Sequence, residues 1–573
     1  MNFRAQPTFT VVDRLVWPLW FAASLTAIFL TGLMPLFSTR TMGVAWEMWQ
    51  SGQFILPLSN GEPYSHKTPL LFWLIEAGWW FGDVNDIWPR VLEVLCGLGV
   101  LLLARRLAQR LFPEAPRVAR LTPWLLAAFS YAFLFSLQIM YEVLLSLCVL
   151  AALDALVGRN DSRKPYFVYF ALAVGAGLMT KGPVALLHVV FPFLFGPWWH
   201  PWAARRPLHW YVGGSLALLA ALGILLVWAT SAAQLGGEAY GHALFFTQTT
   251  GRLVNAFDHA RPWWWYLSML PALLLPWLLW PRAWAALLPV LLYRGSAGSR
   301  FLACWLWPML LAFSLVSGKQ LYYLLPELAG VAMLLATGFA RARHRDREPS
   351  RWSGPWPLAL ALLTGAAGLL YLRWAAARGA LDSSWMIDLA AANPLFAMLA
   401  VVLALCLLFA PRDDGSLLRS IAAVSIVAVL AAYAVLAQTV WMRFDLRPAA
   451  AHIAVLQEAD IPVAHFEPYE NQFQFLGRLQ KPLDVVVEPA LAEWASTHAG
   501  GRVIRYPRNL HSEDLVHAEL IQPFRSGWLL IERADSWLAR QQGTPLAPLA
   551  TPAMLYPPHY WRYRLVATTS DAG

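Results

Sequence analysis

Six cationic side chains stand where apolar runs end in this sequence: Arg40, Lys67, Lys181, Arg252, Arg261 and Lys319. His259 lies between the last two arginines. Arg grips phosphate oxygens bidentately and Lys acts as a point charge, so this set suits a phosphate or diphosphate. A single Lys or Arg at the end of a spanning helix also serves as a snorkelling anchor. The nearby acids are Glu47, Glu62, Glu142, Glu238 and Asp258. Glu142 lies in a very short turn between two apolar runs, near the interior of any helix bundle. It suits a general base, and equally a structural ion pair with a Lys or Arg. Glu47 is the other candidate base. His66 and His259, with an acid, are the candidates for a divalent metal ion. His188 and His242 read as packing or interface residues. The sequence has no Gly-rich phosphate loop, nucleophile elbow or HExxH motif, which argues against a nucleotide-dependent enzyme built on a Rossmann-type domain.

The elements that must position these groups are membrane helices. The 573 residues are 58% hydrophobic and 13% charged, against roughly half and a quarter in a soluble globular protein. The net charge of +9 follows from the excess of Lys and Arg on cytoplasmic loops and calls for no nucleic acid. The 31 Trp and 18 Tyr fit interfacial belts. Cys96, Cys148, Cys304 and Cys406 lie in apolar runs and read as small hydrophobes. The start, "MNFRAQPTFTVVDR", leads into an apolar run with no small-residue cleavage site, so a retained first helix is expected.

About 20 apolar residues cross a bilayer. Candidate spans are 15–36, 88–104, 121–140, 143–158, 165–179, 183–199, 209–231, 263–281, 301–316, 321–340, 355–373, 394–410 and 418–441. The stretch 70–82 is too short to span and is expected to lie in the interface or re-enter. Alternate connections carry the arginines, from Arg4 and Arg14 through "RARHRDREPSR" to Arg412 and Arg419. That side is cytoplasmic by the positive-inside rule, so about thirteen spans are expected, with the C-terminus outside. Lys67, Lys181 and Lys319 then fall on the side where Lys is depleted, which favours a site over anchoring. Nucleotides are scarce there, so the phosphate expected is lipid-linked. After Trp441 the runs "IPVAHF", "LDVVV", "RVIRY" and "GWLLIE" alternate with helix-like "PALAEWASTH" and "ADSWLARQQ", the pattern of a small α/β domain. The expected organisation is a transmembrane domain over 1–441, with a first outer loop at 37–69, and a periplasmic α/β domain over 442–573.

Several stretches carry a family likeness. They are "TRTMGVAWEMWQSGQFILPLSNGEPYSHKTPLLFWL", "GLMTKGPVALL", "GRLVNAFDHARPWWWYLSMLPALLLPW", "FSLVSGKQLYYLLP" and "YENQFQFLGRLQKPLDVVV". With them the chain resembles the bacterial branch of the protein O-mannosyltransferase superfamily, glycosyltransferase family 39/83-like, which includes the aminoarabinose transferase that modifies lipid A. The resemblance implies a polytopic α-helical GT-C fold in the bacterial inner membrane. It also implies inverting transfer of a sugar from a polyprenyl-phosphate donor to a glycolipid or protein acceptor, such as lipid A, on the periplasmic side. Carried over residue by residue, Arg40 matches the Arg of the family's first-loop motif. Gly61, Glu62, Pro63, Tyr64, Lys67, Pro69 and Trp73 match the "GEPYxxKPPLLYW" that follows. Lys67, Lys181 and Arg252 would contact donor phosphate, and Arg261, Lys319 and Tyr323 complete the expected substrate-binding set. Glu142 stands where the family has a second acid.

The first-loop Asp-Glu of the family falls on Phe37 and Ser38, and His66 replaces a frequent Glu. Neither Phe nor Ser serves as a base. An active transferase then needs Glu142 or Glu47 as base, or an already anionic acceptor such as a lipid A phosphate. The alternative is a catalytically impaired relative that binds polyprenyl phosphate or acts as a partner in envelope glycan assembly. A transporter ranks last: Glu93 and Asp154 are intramembrane acids, but no internal repeat accompanies them.

Overall fold

The computed structural model describes residues 11–158, 164–246, 260–342, 353–466, 468–544 and 554–556. The chain forms two compact units. The first takes Met1–Leu30, Ser65–Arg378 and Ala392–Val435; the second takes Thr31–Tyr64, Gly379–Ala391 and Leu436–Gly573. The sequence suggested a single division near 441. Residues 31–64 and 379–391 group with residues 436–573 in the second unit.

Long apolar helices dominate. Among the described residues seven are long and apolar enough to cross a membrane: Val11–Ile28, Ile87–Leu111, Pro207–Phe246, Ala297–Leu315, Leu321–Ala342, Trp356–Ala376 and Asp414–Thr439. The count becomes eight if the bent pair Ser384–Ala390 and Leu395–Leu408 is one span. The protein is therefore a multi-pass membrane protein. By length and composition the described residues supply seven or eight of the thirteen spans expected. Several of the remaining segments form helices that are short, such as Phe167–Lys181 with 15 residues and Val184–Leu194 with 11. At about 1.5 Å per residue, 11 residues rise roughly 17 Å, well short of a ~30 Å hydrocarbon core. The stretch expected at 121–140 breaks into Pro116–Ala127 and Ser130–Phe135.

Three helices of the first unit place its polar groups. Tyr141–Val157 is buried along nearly its whole length, as a helix apolar on all sides must be. It packs along Ile87–Leu111 and Phe167–Lys181. Its first residues are fixed by Glu93, whose Oε1 accepts the N–H of Met140 at 3.2 Å. That contact satisfies one of the donors a helix start leaves unpaired. Phe167–Lys181 stops because Gly182 follows with φ +68°, a conformation glycine adopts without a Cβ penalty. The sequence "TKGP" thereby makes Lys181 the last helical residue.

The second unit holds a short hairpin, β1 (Leu58–Ser59) with β2 (Glu62–Pro63), and a six-stranded sheet. The sheet strands are β3 (Val463–Phe466), β4 (Asp484–Val486), β5 (Arg502–Arg505), β6 (Ala518–Phe524), β7 (Gly527–Arg533) and β8 (Met554–Leu555). Their order is β4-β3-β5-β7-β6-β8. The first three are mutually parallel, and β7 runs antiparallel to β5 and β6. One core cluster joins Ile453 and Leu456 of helix Arg447–Glu458 to Ile504, Leu520 and Ile531. Another joins Leu491 and Ala495 of helix Glu488–Thr497 to Ala464, Val503 and Ala534. Strands buried by two such clusters read as short apolar runs, which is how they appear in the sequence.

Candidate functional site

A polar constellation of the first unit is built around Lys181. Its Nζ donates to Glu142 Oε1 at 2.6 Å, with the lysine side chain 9% and the glutamate side chain 3% exposed. The two residues lie 39 positions apart, and the packing of Tyr141–Val157 on Phe167–Lys181 joins them. Aromatic faces complete the surroundings. Lys181 Nζ lies 4.3 Å from the ring centre of Tyr323 and 5.3 Å from that of Tyr322. Lys67 Nζ lies 5.2 Å from the ring centre of Tyr141, the neighbour of Glu142. Cations over ring faces stay charged while losing water, so an arriving anion meets them partly desolvated. Glu142 Oε2 is buried and has no hydrogen-bond partner among the described residues. That leaves one carboxylate oxygen uncommitted beside Lys181.

The aromatic wall has its own support. Tyr322 and Tyr323 sit on the short turn Leu321–Leu324, and Tyr266 Oη donates to Gln320 O at 3.0 Å just before it. Lys319 is 2% exposed and donates to the backbone carbonyls of Arg261, at 2.9 Å, and Val316. The Arg261 N–H donates to Ser317 O at 3.1 Å, and Ala260 bridges Gly318. Lys319 is thus committed to fastening residues 260–261 onto 316–319, with two of its three donors spent on carbonyls.

Arg40, Glu47 and Tyr64 belong to the second unit. Arg40 Nη1 pairs with Glu470 Oε2 at 2.9 Å. Glu47, on helix Ser38–Ser51, accepts at Oε1 from the N–H of Asn60 (2.7 Å) and from Asn471 Nδ2 (2.6 Å). Its Oε2 accepts from the N–H of Gly61 at 2.8 Å. Burial pushes the Glu47 carboxyl up from its ordinary value, and these donors only partly offset it. The two backbone contacts hold the Asn60–Gly61 turn, where both residues have positive φ, and the third ties it to Asn471. Tyr64 is buried, and its N–H donates to Pro57 O at 2.8 Å.

Helix Ser38–Ser51 has no acid in its first turn, with Phe37 exposed and Ser38 buried. Arg252 and His259 lie outside the described residues. His66 adjoins Lys67 in the first unit. Among the described residues no three His, Cys, Asp or Glu side chains form a group that would hold a metal ion. Sequence reasoning passed over Tyr141 and Tyr322, whose ring faces carry no periodic signal, and Glu470, whose pairing with Arg40 spans 430 positions.

Comparison with known proteins follows the same lines. The family model for dolichyl-phosphate-mannose-protein mannosyltransferase matches residues 66–233. The undecaprenyl phosphate-alpha-4-amino-4-deoxy-L-arabinose arabinosyl transferase of Pseudomonas aeruginosa (strain UCBPP-PA14) is 33% identical over 351 residues, 58% of this chain and 61% of the relative. A second such transferase, from Pseudomonas fluorescens (strain Pf0-1), is 32% identical over 381 residues, 62% of this chain and 66% of the relative. The matched part therefore spans somewhat under two thirds of these relatives. Among solved structures, ArnT from Cupriavidus metallidurans bound to undecaprenyl phosphate superposes with a TM-score of 0.70 at 17% identity. The superposition covers 91% of this chain and 98% of that one, a likeness of fold.

Proposed function

We propose that the chain, which is similar to undecaprenyl-phosphate aminoarabinose transferases in sequence and to one of them in fold, transfers a sugar from a polyprenyl-phosphate carrier to an envelope acceptor. The reaction is placed on the periplasmic face of the bacterial inner membrane, with lipid A, another glycolipid or a protein as acceptor. The observation that carries this reading is the Lys181–Glu142 pair beneath Tyr323, with Lys67 over the adjacent Tyr141.

The chemistry runs as follows. The donor phosphate, an anionic diester with two non-bridging oxygens to offer, displaces Glu142 from Lys181 and draws Lys67 onto the same group. The acceptor oxygen attacks the anomeric carbon as the bond from that carbon to the phosphate oxygen breaks. The electron pair leaves with the polyprenyl phosphate, and the two ammonium groups stabilise the charge that develops there. Glu142, released from Lys181, takes the acceptor proton. With a phosphate acceptor already ionised, that last step is dispensable. Glu47 is assigned to holding the Asn60–Gly61 turn, since both its oxygens are occupied.

One observation favours a second reading. The absence of an acid at Phe37 and Ser38 fits a relative that binds polyprenyl phosphate without transferring sugar. Purified protein incubated with a polyprenyl-phosphate sugar separates the two. Consumption of the donor that falls in Glu142→Gln, with donor binding retained, supports the transferase. Binding without consumption in the wild type supports the second reading.

A further inference from the structure

His188, set aside in the sequence as a packing residue, is 1% exposed, and its Nδ1 lies 2.6 Å from Glu327 Oε1. His188 stands on helix Val184–Leu194, which begins after the Gly182–Pro183 turn that ends the Lys181 helix. Glu327 stands in the first turn of helix Leu325–Ala342, which continues directly from the turn bearing Tyr322 and Tyr323. The imidazole ring packs on Phe313 with centres 5.4 Å apart, and Phe313 packs on Tyr323 at 5.9 Å. The contacts therefore close a ring. Lys181 leads along the chain to His188, His188 meets Glu327, Glu327 leads back to Tyr323, and Tyr323 lies over Lys181.

Stability alone gives little reason for such a pair. Two polar groups taken out of water are commonly no better than apolar residues of the same volume. Here the second oxygen, Glu327 Oε2, is also buried without a hydrogen-bond partner among the described residues. What a hydrogen-bonded pair supplies and an apolar contact does not is register, because only one seating of the two helices satisfies it. We infer that the His188–Glu327 pair is a positioning device that sets the Tyr322–Tyr323 turn over Lys181. Its consequence for catalysis rests on the reading of Lys181 as a phosphate ligand; the geometry does not.

The test uses the full chain in detergent or nanodiscs and the rate at which an amine-acylating reagent labels Lys181, read by mass spectrometry against exposed Lys481. The principal variant combines His188→Leu with Glu327→Leu, which replaces the pair by apolar groups and keeps volume in the core. Lys181 labelling is expected to rise about tenfold, the size of coupling usual within one network. The exchanged pair, His188→Glu with Glu327→His, is expected to bring it back towards wild type. Asp154→Asn is the control. It breaks another buried pair, with Arg106 and Arg110, at the far end of the helix that carries Glu142. It is expected to lower thermal stability without changing Lys181 labelling. Unchanged labelling in the leucine pair overturns the inference, as does an equal rise in Asp154→Asn, which would mean general loosening. Should the leucine pair fail to fold, Glu327→Gln is read in the same way. kcat/KM for a polyprenyl-phosphate sugar is expected to fall, since Lys181 both binds the donor phosphate and stabilises it as it leaves. Labelling that rises while KM and kcat stay put leaves the positioning device standing and sinks the phosphate role of Lys181 instead.

Discussion

Glu142 and Glu47 are both glutamates in polar stretches flanked by apolar runs, and either is a candidate base on sequence alone. The structure separates them by what their oxygens do. Glu47 receives two backbone N–H groups and a side-chain amide, so its lone pairs are spent on holding a turn. Glu142 receives a single lysine on one oxygen and leaves the other without a hydrogen-bond partner among the described residues. A saturated carboxylate is a piece of architecture. A carboxylate half-committed to a cation that an incoming anion would claim is ready to change partners. In a buried setting that difference matters more than proximity in sequence, because each uncommitted polar atom costs desolvation without return.

The largest effect should fall on Glu142. Turnover of a polyprenyl-phosphate sugar by Glu142→Gln is expected to drop about 100- to 10,000-fold, the range for loss of a general base. Binding of undecaprenyl phosphate should survive. Glu47→Gln should keep most of its turnover per folded molecule. Equal losses in the two variants would break the distinction drawn above. Turnover in Glu142→Gln that matches wild type would indicate an acceptor that arrives ionised, or another base.

Lys181 comes next. Lys181→Met removes the cation and leaves Glu142 buried alone, a loss of about 3–5 kcal/mol for a broken buried pair. Undecaprenyl phosphate binding, measured by quenching or calorimetry, should weaken roughly 100-fold, in line with loss of a charge-assisted contact of ~3 kcal/mol. Combining Lys181→Met with Glu142→Leu should recover much of the stability and none of the binding. If binding also returned, Lys181 would be structural and the comparison would lose its active half.

Much of this pairing was beyond the reach of the sequence. The lysines could be singled out because Lys is depleted on the outer side of membrane proteins, so Lys67 and Lys181 stood against a clear expectation. "TKGP" even gave the helix end, through the Gly that stops it. Which acid Lys181 meets depends on how two helices pack, and no local pattern encodes that. The C-terminal sheet was legible where strands are apolar, as in "VAHF" and "GWLLIE". It was missed at "AELIQPF", where Glu519, Gln522 and Pro523 dilute the apolar signal of a strand whose polar side chains find partners. The span count was the least legible, since a hydropathy run does not say whether its helix continues for 11 residues or 25.

A smaller effect is expected at Glu47. Glu47→Gln sets an amide NH2 against groups that already donate, and one such mismatch costs about 1–3 kcal/mol. Thermal unfolding should fall accordingly, and amides near Asn60 and Gly61 should exchange faster. Asn471→Ala, which removes one of the three donors, should loosen the same amides by less. A fall in turnover without faster exchange in Glu47→Gln would return Glu47 to the catalytic group.

The smallest effect extends the saturated class to the C-terminal sheet. Burial would raise the Glu519 carboxyl, yet hydrogen bonds from His452 and Arg502 outweigh it and pull it down to about 2. The folded state therefore binds fewer protons here than the unfolded chain, where a glutamate titrates near 4.3. The sign follows: this stabilisation is fully present above that unfolded value and is lost as pH falls from there towards 2. Allowing for solvent around the partners, its size is roughly 1 kcal/mol. Hydrogen exchange in β6 and β7, corrected for intrinsic rates, should show protection falling between about pH 5 and pH 2 in the wild type. The difference from Glu519→Gln should vanish at the acid end, while turnover at neutral pH stays close to that of the wild type. A carboxylate held by two partners would then behave as Glu47 does, structural and separable from the chemistry, whereas a loss of turnover in Glu519→Gln would show that saturation alone does not mark a carboxylate as architecture.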